Sequence, residues 1–477
     1  APVLGFAVYR WLVSPRWPEA LVMSVVMATA MLIKSIWIFA PLAVLLGWGG
    51  YQLAQYKQWN FKQMGHALLQ VGGIVVVSLF LVNAFYGFSG SFQKLGDYRF
   101  ISTALSGVEV CEDCPGKELG NRFGETALAN VPVPLPKPYL LGIDIQRNDF
   151  EQGLTSEAWM SYLDGKWQVG GWWYYYLAGL FYKETLLLWG LVVCGTVAFC
   201  VVRPRVYAPT LLYSLFIPAA MVLFVVCVNT GLNRYVRYVI PVLPFLVIWA
   251  SQSTRLVPLA AQLFHKSVVS VKWERAGALS IASAALLLSL WVAPHWLSYF
   301  NVASGGLSQG YKHLCDCNVD WGQDLPAIEK WLQRNPEAKD QLHMAFFGSY
   351  DPVNLGIQYK KPIYLSGEGA TRQELLAMAR KLVPGWYVIS KNYVLGHPMP
   401  MPDGKSALIF SDTPLDALTY FQALTPIDEI GGSMFVYRIT DGDVLALSKL
   451  VSSQYGSQYS PFGNPIQIQP VSSEKSP

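Results

Sequence analysis

Aromatic rings and carboxylates are concentrated in residues 294–325, PHWLSYFNVASGGLSQGYKHLCDCNVDWGQDL, directly after a long apolar segment. Asp316, Asp320 and Asp324 recur every four residues, a spacing that on a helix would bring three carboxylates to one face, where they could hold a cation. The glycine after Trp321 instead favours a loop, in which an aspartate caps the following helix. Rings beside carboxylates at a membrane exit suit an amphipathic ligand such as a sugar on a lipid, so we predict substrate contact for Asp320, Trp321 and Asp324. An aromatic belt followed by a capped helix is the alternative.

A second group of residues could bind a lipid phosphate. Lys34 interrupts an apolar stretch, and a charge within a membrane costs about 2.5–3.5 kcal/mol on insertion scales, so it needs a partner or a watery cavity. Arg234 and Arg237 would share a helix face, and guanidinium groups bind phosphate through two parallel hydrogen bonds. With Tyr238 beside them, we predict lipid-phosphate binding by Lys34, Arg234, Arg237 and Tyr238. The alternatives are a hairpin tip at the interface for the lysine and interfacial anchoring for the arginines.

The composition is that of a membrane protein. Hydrophobic residues make up 53% of the 477 residues and charged residues only 14%, where a soluble domain carries about a quarter charged residues. The net charge of +4 is too small to indicate a nucleic-acid partner. Five segments have about the 20 apolar residues that a span requires, namely 67–86, 184–202, 207–228, 236–252 and 276–295. The stretch 19–49 is broken by Lys34 and Pro41 and is predicted to form a helical hairpin.

The basic residues predict the orientation of these spans. They fall into four clusters, which are Arg10 with Arg16, Lys57 with Lys62, Arg203 with Arg205, and Arg255 to Arg275. All four clusters lie on one side if 19–49 returns to the side it left, and the positive-inside rule assigns that side to the cytoplasm. We therefore expect a multi-pass protein of the cytoplasmic (inner) membrane, with the 87–171 loop and everything after residue 296 on the extracytoplasmic side.

The predicted fold class is a polytopic α-helical membrane protein with a C-terminal extracytoplasmic α/β domain. Its predicted parts are N-terminal transmembrane segments with the broken hairpin at 19–49 (1–86), an extracytoplasmic loop domain (87–171), an interfacial helix with four transmembrane helices (172–295), the α/β domain (296–451) and a flexible tail (452–477). In the α/β domain we predict helices at 325–333, 371–382 and 415–424, and strands at 342–347, 362–366, 386–390 and 433–439. Strands that alternate with helices indicate a mixed or parallel sheet.

Four of the seven cysteines lie in segments placed outside the cytoplasm, where disulfides form. They are Cys111, Cys114, Cys315 and Cys317. The three ways of pairing them stay open, although one intervening residue makes a bridge between Cys315 and Cys317 strained. A zinc site of four thiolates is the alternative, which an oxidising compartment disfavours.

Ordered motifs along the whole chain resemble those of bacterial membrane glycosyltransferases of the dolichyl-phosphate-mannose–protein mannosyltransferase type, family 39 with the GT-C fold. The matching blocks are ATAMLIK (28–34), GWWYYYLAGLFYKET (171–185), RYVIPVLPF (237–245), SYFN (298–301), NVDWGQDL (318–325), FGSYDPVNLGI (347–357) and FVYRI (435–439). The resemblance implies a GT-C-like fold and transfer of a sugar from a polyprenyl-phosphate donor at the outer face of the membrane. Such a reaction needs a carboxylate general base, and cations or a divalent metal to hold the departing lipid phosphate.

In the family the catalytic acid lies in a first outer loop, which by the motif alignment would precede Ala1. The resemblance therefore assigns no catalytic residue within this chain, although Asp144, Asp149 and Glu151 could replace the missing base. We expect either the rear part of a larger enzyme or a non-catalytic accessory or structural subunit of a larger membrane complex. The expected partners are membrane lipid, a polyprenyl-phosphate sugar and, for the subunit, other membrane proteins.

Overall fold

The computed structural model of the protein describes residues 2–54, 61–108, 119–155, 160–202, 208–256, 271–365, 372–402, 404 and 410–454. The α-helices in these ranges are α1 Pro2–Val13, α2 Trp17–Ile33, α3 Ala40–Ala54, α4 Phe61–Phe85, α5 Thr103–Ser106, α6 Lys137–Thr155, α7 Tyr175–Lys183, α8 Leu186–Val202, α9 Ala208–Val228, α10 Leu243–Ala250, α11 Val271–Val292, α12 Gly306–Gln309, α13 Leu325–Arg334, α14 Arg372–Ala379, α15 Lys391–Val394 and α16 Asp441–Gln454. The strands are β1 Ser161–Leu163, β2 Lys166–Gln168, β3 Leu342–Ala345, β4 Gly385–Ser390, β5 Met401–Pro402, β6 Phe410–Ser411, β7 Asp428–Ile430 and β8 Met434–Ile439. The described part of the chain is therefore mostly helical.

Within the described residues, three helical segments are long and apolar enough to cross a membrane, namely Gly65–Phe85, Val236–Arg255 and Arg275–Val292. A fourth candidate is the pair Tyr175–Lys183 and Leu186–Val201, if these two helices count as one broken span. Three of the five predicted spans coincide with the long segments, and a fourth falls on α8. The remaining one, at 207–228, falls on α9, where the described apolar part, Phe216–Val228, is shorter than a span.

The chain divides into two compact units. Unit 1 comprises Ala1–Thr155, Leu187–Gly231 and Arg237–Ala278, and unit 2 comprises Ser156–Leu186, Leu232–Val236 and Leu279–Pro477. In unit 1, α2 packs against α1 and α4, and α9 packs against α1 and α3. Polar side chains bond across these apolar contacts: Trp11 Nε1 donates to Gln70 Oε1 at 2.8 Å, and Ser78 Oγ donates to the carbonyl of Ser24 at 3.1 Å. Such bonds satisfy polar groups that an apolar environment would leave unpaired.

Unit 2 contains a four-stranded sheet of order β3-β4-β8-β7, in which β3 and β4 are parallel and the other neighbours are antiparallel. Alternate residues of each strand face opposite sides, as the two-residue period requires. Tyr387 and Ile389 of β4 join the core that covers one face with α14 and α16, while Val388 joins the core formed with α13. Both faces are thus covered, as expected of an α/β domain, and the sheet is mixed.

Two elements of this domain differ from the sequence expectation. Residues 362–365 form no strand; Lys360 makes the bonds to β3 instead, donating its N–H to Leu342 and accepting the N–H of Met344, both at 2.9 Å. Pro362 has no N–H with which to continue such a ladder. The predicted helix at 415–424 is a turn followed by a 3-10 segment, because Asp416 has a φ of 62°, which interrupts a right-handed helix. Residue 366 of the predicted strand and residue 371 of the predicted helix lie outside the described residues.

Candidate functional site

In unit 1 the break in the apolar stretch is built around Lys34. Helix α2 ends at Ile33, and Lys34 is extended, with φ −153° and ψ 128°. Its N–H still bonds the carbonyl of Ala30 at 3.1 Å, and a 3-10 segment, Ser35–Phe39, follows before α3. If Lys34 were helical, its side chain would lie on one face of α2. The extended backbone lets the side chain leave α2 at its end instead.

Three of the four predicted phosphate-binding residues lie together in unit 1. Lys34 Nζ is 4.7 Å from the centre of the Tyr238 ring, and Arg237 Cζ is 6.0 Å from the same ring. Both distances are within the range of a cation–π contact. Lys34 and Arg237 are also close enough to repel each other electrostatically. We call Lys34, Arg237 and Tyr238 the cation cluster. Two positive charges gathered around one ring attract an anion, because the anion would offset their repulsion.

Arg234 belongs to a different arrangement, in unit 2. It is buried, and its Nη1 lies 3.9 Å from Oδ2 of Asp316, which is itself buried. The same carboxylate oxygen lies 3.1 Å from Nε2 of His397. Burial alone would raise the pKa of Asp316, but His397, Arg234 and the N–H of Cys317 outweigh it and hold the pKa below its ordinary value. Arg234 therefore takes part in a buried ion pair, and its contact with phosphate stays a prediction.

Asp320 and Asp324, predicted to contact substrate, are both buried in unit 2. Asp320 accepts hydrogen bonds from Ser390 Oγ at 2.6 Å and from the N–H of Gly322 at 2.9 Å. Burial raises the pKa of Asp320 to about 7, although both hydrogen bonds oppose the shift. Because its oxygens are inside the protein and bonded to it, Asp320 links the loop to the end of β4 and presents no carboxylate to solvent.

Asp324 has the same kind of role at the neighbouring strand. Its Oδ2 accepts from Ser433 Oγ at 2.7 Å and from the N–H of Gly432 at 3.1 Å, immediately before β8. Of the three predicted substrate contacts, Trp321 alone has an exposed side chain, 46% accessible. The three aspartates of residues 316–324 therefore brace the loop, and substrate contact by Trp321 stays a prediction.

The structural role of Lys183 was not predicted from the sequence. Its Nζ donates to the carbonyls of Leu297 at 2.7 Å, Tyr299 at 2.9 Å and Asn318. It also lies 4.0 Å from the centre of the Phe300 ring. This one ammonium uses its three protons to join α7 to two segments of the 294–325 stretch.

Asn318 connects the same stretch to residues before α10. Its Oδ1 accepts the N–H of Val236 at 3.0 Å, while its Nδ2 donates to Tyr175 Oη at 3.1 Å and to the carbonyl of Cys315 at 2.9 Å. Both Lys183 and Asn318 stand in motif blocks that carry the family resemblance. Within unit 2, those motifs hold distant chain segments together.

Two of the three acidic residues proposed to replace a missing base, Asp144 and Glu151, cap a short helix in unit 1. Asp144 is buried and accepts the N–H groups of Ile101 at 2.7 Å and Ser102 at 3.0 Å. Glu151 accepts those of Thr103 at 2.6 Å and Ala104 at 3.0 Å, at the start of α5. These carboxylates accept hydrogen bonds from N–H groups at the start of the helix, which have no partner inside it. Asp149 also has an interaction partner in the structure.

The predicted disulfide cysteines are only partly described. Cys315 and Cys317 are buried thiols, so the structure contains no bridge at this pair. Burial raises the pKa of the Cys315 thiol well above its ordinary value, which makes it unreactive. Cys111 and Cys114 lie outside the described residues, and a bridge between them stays a prediction. Among the described residues, no group of three or more His, Cys, Asp or Glu side chains is arranged to hold a metal ion.

The comparisons with known proteins assign no family to the chain. No protein-family model matches it, and no curated protein matches it. The geometry of the two units and the apolar helices are therefore the basis for a functional proposal.

Proposed function

We propose that this chain is a membrane glycosyltransferase-like protein, which acts with a polyprenyl-phosphate sugar at the outer face of the cytoplasmic membrane, by itself or as the rear part of a larger enzyme. The observation that carries the proposal is the cation cluster, in which Lys34 and Arg237 converge on Tyr238. The residues of the cluster stand in two of the motif blocks that resemble the family. The positions of the basic residues along the chain support the sidedness.

The cation cluster suits a lipid phosphate for three physical reasons. Lys34 and Arg237 supply two positive charges, and a guanidinium can bind two phosphate oxygens at once. Lys34 follows the apolar helix α2 and Tyr238 precedes the apolar helix α10, so a polyprenyl chain could pack beside the bound headgroup. Cations placed at the departing phosphate would stabilise the charge that develops on it during transfer.

The test is sugar transfer by the protein purified from its native membrane together with whatever remains bound to it. Arg237→Ala is expected to lower transfer from a polyprenyl-phosphate sugar by at least about tenfold, because removing a ~1.4 kcal/mol interaction has that effect. Arg255→Ala is the matched control, since Arg255 is an arginine at the other end of the same apolar segment, Val236–Arg255. Equal loss in both variants, or none in either, would contradict a role of the cluster in transfer.

The alternative is a non-catalytic accessory or structural subunit of a larger membrane protein complex. If this alternative is correct, the purified assembly transfers no sugar. Any polyprenyl phosphate that it binds is held at the cation cluster. Polyprenyl-phosphate binding without transfer, in an assembly shown to be complete by its mass, would select this alternative over the enzyme.

A further inference from the structure

Unit 2 contains a pocket of about 990 Å³ that lies away from the residues discussed so far. Its wall includes Asp164 in the turn between β1 and β2, Tyr182 of α7, His313, Glu429 of β7 and Phe435 of β8. Small-molecule sites occupy about 300–1,000 Å³, so this pocket is at the upper end of that range. A cavity of this volume has room for a ligand of several rings.

Three polar side chains in the wall form a fixed cluster. His313 Nδ1 lies 2.6 Å from Oδ1 of Asp164, and Tyr182 Oη donates to Oδ2 of Asp164 at 2.9 Å. The rings of Tyr182 and His313 are stacked, with centres 4.5 Å apart. The turn itself is held in place, because the N–H of Asp164 bonds the carbonyl of His313 at 3.1 Å. Asp164 and Gly165 have φ values of 49° and 81°, as a tight two-residue hairpin turn requires.

This arrangement defines what His313 can offer to a ligand. A carboxylate accepts hydrogen bonds and does not donate them, so the proton of the neutral imidazole is on Nδ1, toward Asp164. The other ring nitrogen, Nε2, then carries the lone pair and accepts a hydrogen bond. An imidazole fixed by a carboxylate in this way is a well-oriented acceptor for a hydroxyl group.

Both carboxylates of the wall already accept hydrogen bonds from protein side chains. Asp164 bonds His313 and Tyr182, and Glu429 forms an ion pair with the fully buried Nζ of Lys391. Lys391 in turn lies over the ring of Phe435, 4.8 Å from its centre. Lys312 also lies in the wall, and its positive charge balances the negative charge of Asp164 within the pocket. The pocket therefore favours a neutral ligand over an amine.

The rest of the wall combines flat aromatic faces with amide groups. Tyr311 and Phe435 pack edge to face, with ring centres 5.3 Å apart, and Gln309 and Gln422 supply side-chain amides. A sugar ring has C–H faces that pack on aromatic rings and hydroxyls that both donate and accept hydrogen bonds. We propose that this pocket binds a neutral oligosaccharide, with a sugar hydroxyl donating to His313 Nε2. The proposal needs no lipid phosphate and no transfer activity, so it stands or fails separately from the proposed function.

The test is calorimetric titration of the full-length protein in nanodiscs with three soluble neutral oligosaccharides, maltotetraose, mannotetraose and chitotetraose. His313→Phe keeps the stacking on Tyr182 and removes the acceptor. The matched control is His343→Phe, because His343 also stacks on a tyrosine, Tyr387, at 4.4 Å, and is not in the pocket wall. At least one oligosaccharide is expected to bind the unchanged protein, with affinity reduced about tenfold by His313→Phe and unchanged by His343→Phe.

Two results would overturn the proposal. One is that none of the three oligosaccharides binds the unchanged protein, and the other is that His313→Phe binds as well as the control variant. If His313→Phe does not fold, Tyr182→Phe replaces it, since it keeps the stacked ring and removes one donor to Asp164. That variant is expected to weaken binding several-fold by loosening the Asp164–His313 pair, and unaltered binding would count against the pocket.

Discussion

Lys34 Nζ lies 4.7 Å from the centre of the Tyr238 ring, although the two residues are far apart in the sequence. The contact joins the break between α2 and α3 to the start of the apolar segment Val236–Arg255, within unit 1. Arg237 lies near the same ring. Tyr238 therefore holds two cationic side chains close together although their charges repel each other. The aromatic ring is thus a positioning element of the cation cluster.

The first prediction concerns the ring itself. Tyr238→Phe retains the aromatic face and is expected to leave the affinity for polyprenyl phosphate within about twofold of the unchanged protein, whereas Tyr238→Leu removes a contact of ~0.5–2 kcal/mol and should weaken binding several-fold. The measurement is titration of polyprenyl phosphate into the protein in nanodiscs. Equal affinities for the two variants would show that the ring does not position Lys34.

The second prediction separates the two neighbouring arginines. Arg234→Ala would leave the buried carboxylate of Asp316 without the guanidinium that pairs with it, and breaking a buried ion pair in this way costs about 3–5 kcal/mol. We expect a clear fall in the thermal unfolding midpoint for Arg234→Ala and little change for Arg237→Ala, whose side chain is exposed. Intrinsic tryptophan fluorescence during heating provides the measurement. A larger loss of stability in Arg237→Ala would contradict the assignment.

The third prediction follows from the pKa of Asp320, which burial raises to about 7. Between its ordinary pKa near 4 and pH 7, the folded chain holds a proton on Asp320 that the unfolded chain has lost. This group therefore makes the free energy of unfolding fall as the pH rises through that window and become level above it. Asn resembles the protonated carboxyl and can donate to Ser390 Oγ, so Asp320→Asn should lose this dependence.

The readout for Asp320 is the difference in unfolding midpoint between pH 5 and pH 8, measured for both proteins. The unchanged protein is expected to lose more stability over this interval than Asp320→Asn. Glu337→Gln, at an exposed carboxylate of the same unit, serves as the control and should behave as the unchanged protein does. Parallel pH profiles for all three proteins would contradict a raised pKa at Asp320.

The fourth prediction concerns the ammonium that joins α7 to the 294–325 stretch. Lys183→Met keeps much of the side-chain volume but leaves three carbonyl oxygens without their donor, at about 1–3 kcal/mol for each one that stays unsatisfied. We expect faster amide hydrogen exchange at residues 297–301 in this variant. Lys166→Met, at an exposed lysine of β2, should leave exchange there unchanged. Protection that is the same in both variants would exclude a bracing role for Lys183.

Regular elements could be predicted from the sequence because local patterns determine them. The break at Lys34 follows from a charge inside an apolar stretch, and β4 and β8 follow from runs of β-branched and aromatic residues between turn residues. The edges of these elements depend on tertiary bonds. Residues 362–365 therefore form no strand although their composition favours one.

The candidate site was less predictable, since it depends on backbone direction and burial. Arg234 and Arg237 would share a face only on a helix, but Arg234 lies in a turn before the 3-10 segment Val236–Val242. Their three-residue spacing therefore does not place the two side chains on one helix face. The sequence does not show whether Asp320 and Asp324 face solvent or accept hydrogen bonds from the serines that precede α15 and β8. The pair Asp164 and His313 joins residues far apart in the chain, a relationship that no local pattern contains.

The proposed lipid-phosphate site depends on Lys34 and Arg237 together. Its most direct test is native mass spectrometry of the full-length protein in nanodiscs that contain polyprenyl phosphate, comparing the unchanged protein with Lys34→Ala/Arg237→Ala and with the control Arg255→Ala. We expect retained polyprenyl phosphate in the unchanged protein and the control, and at least about a tenfold lower bound fraction in the double variant. Equal retention in all three proteins would contradict it.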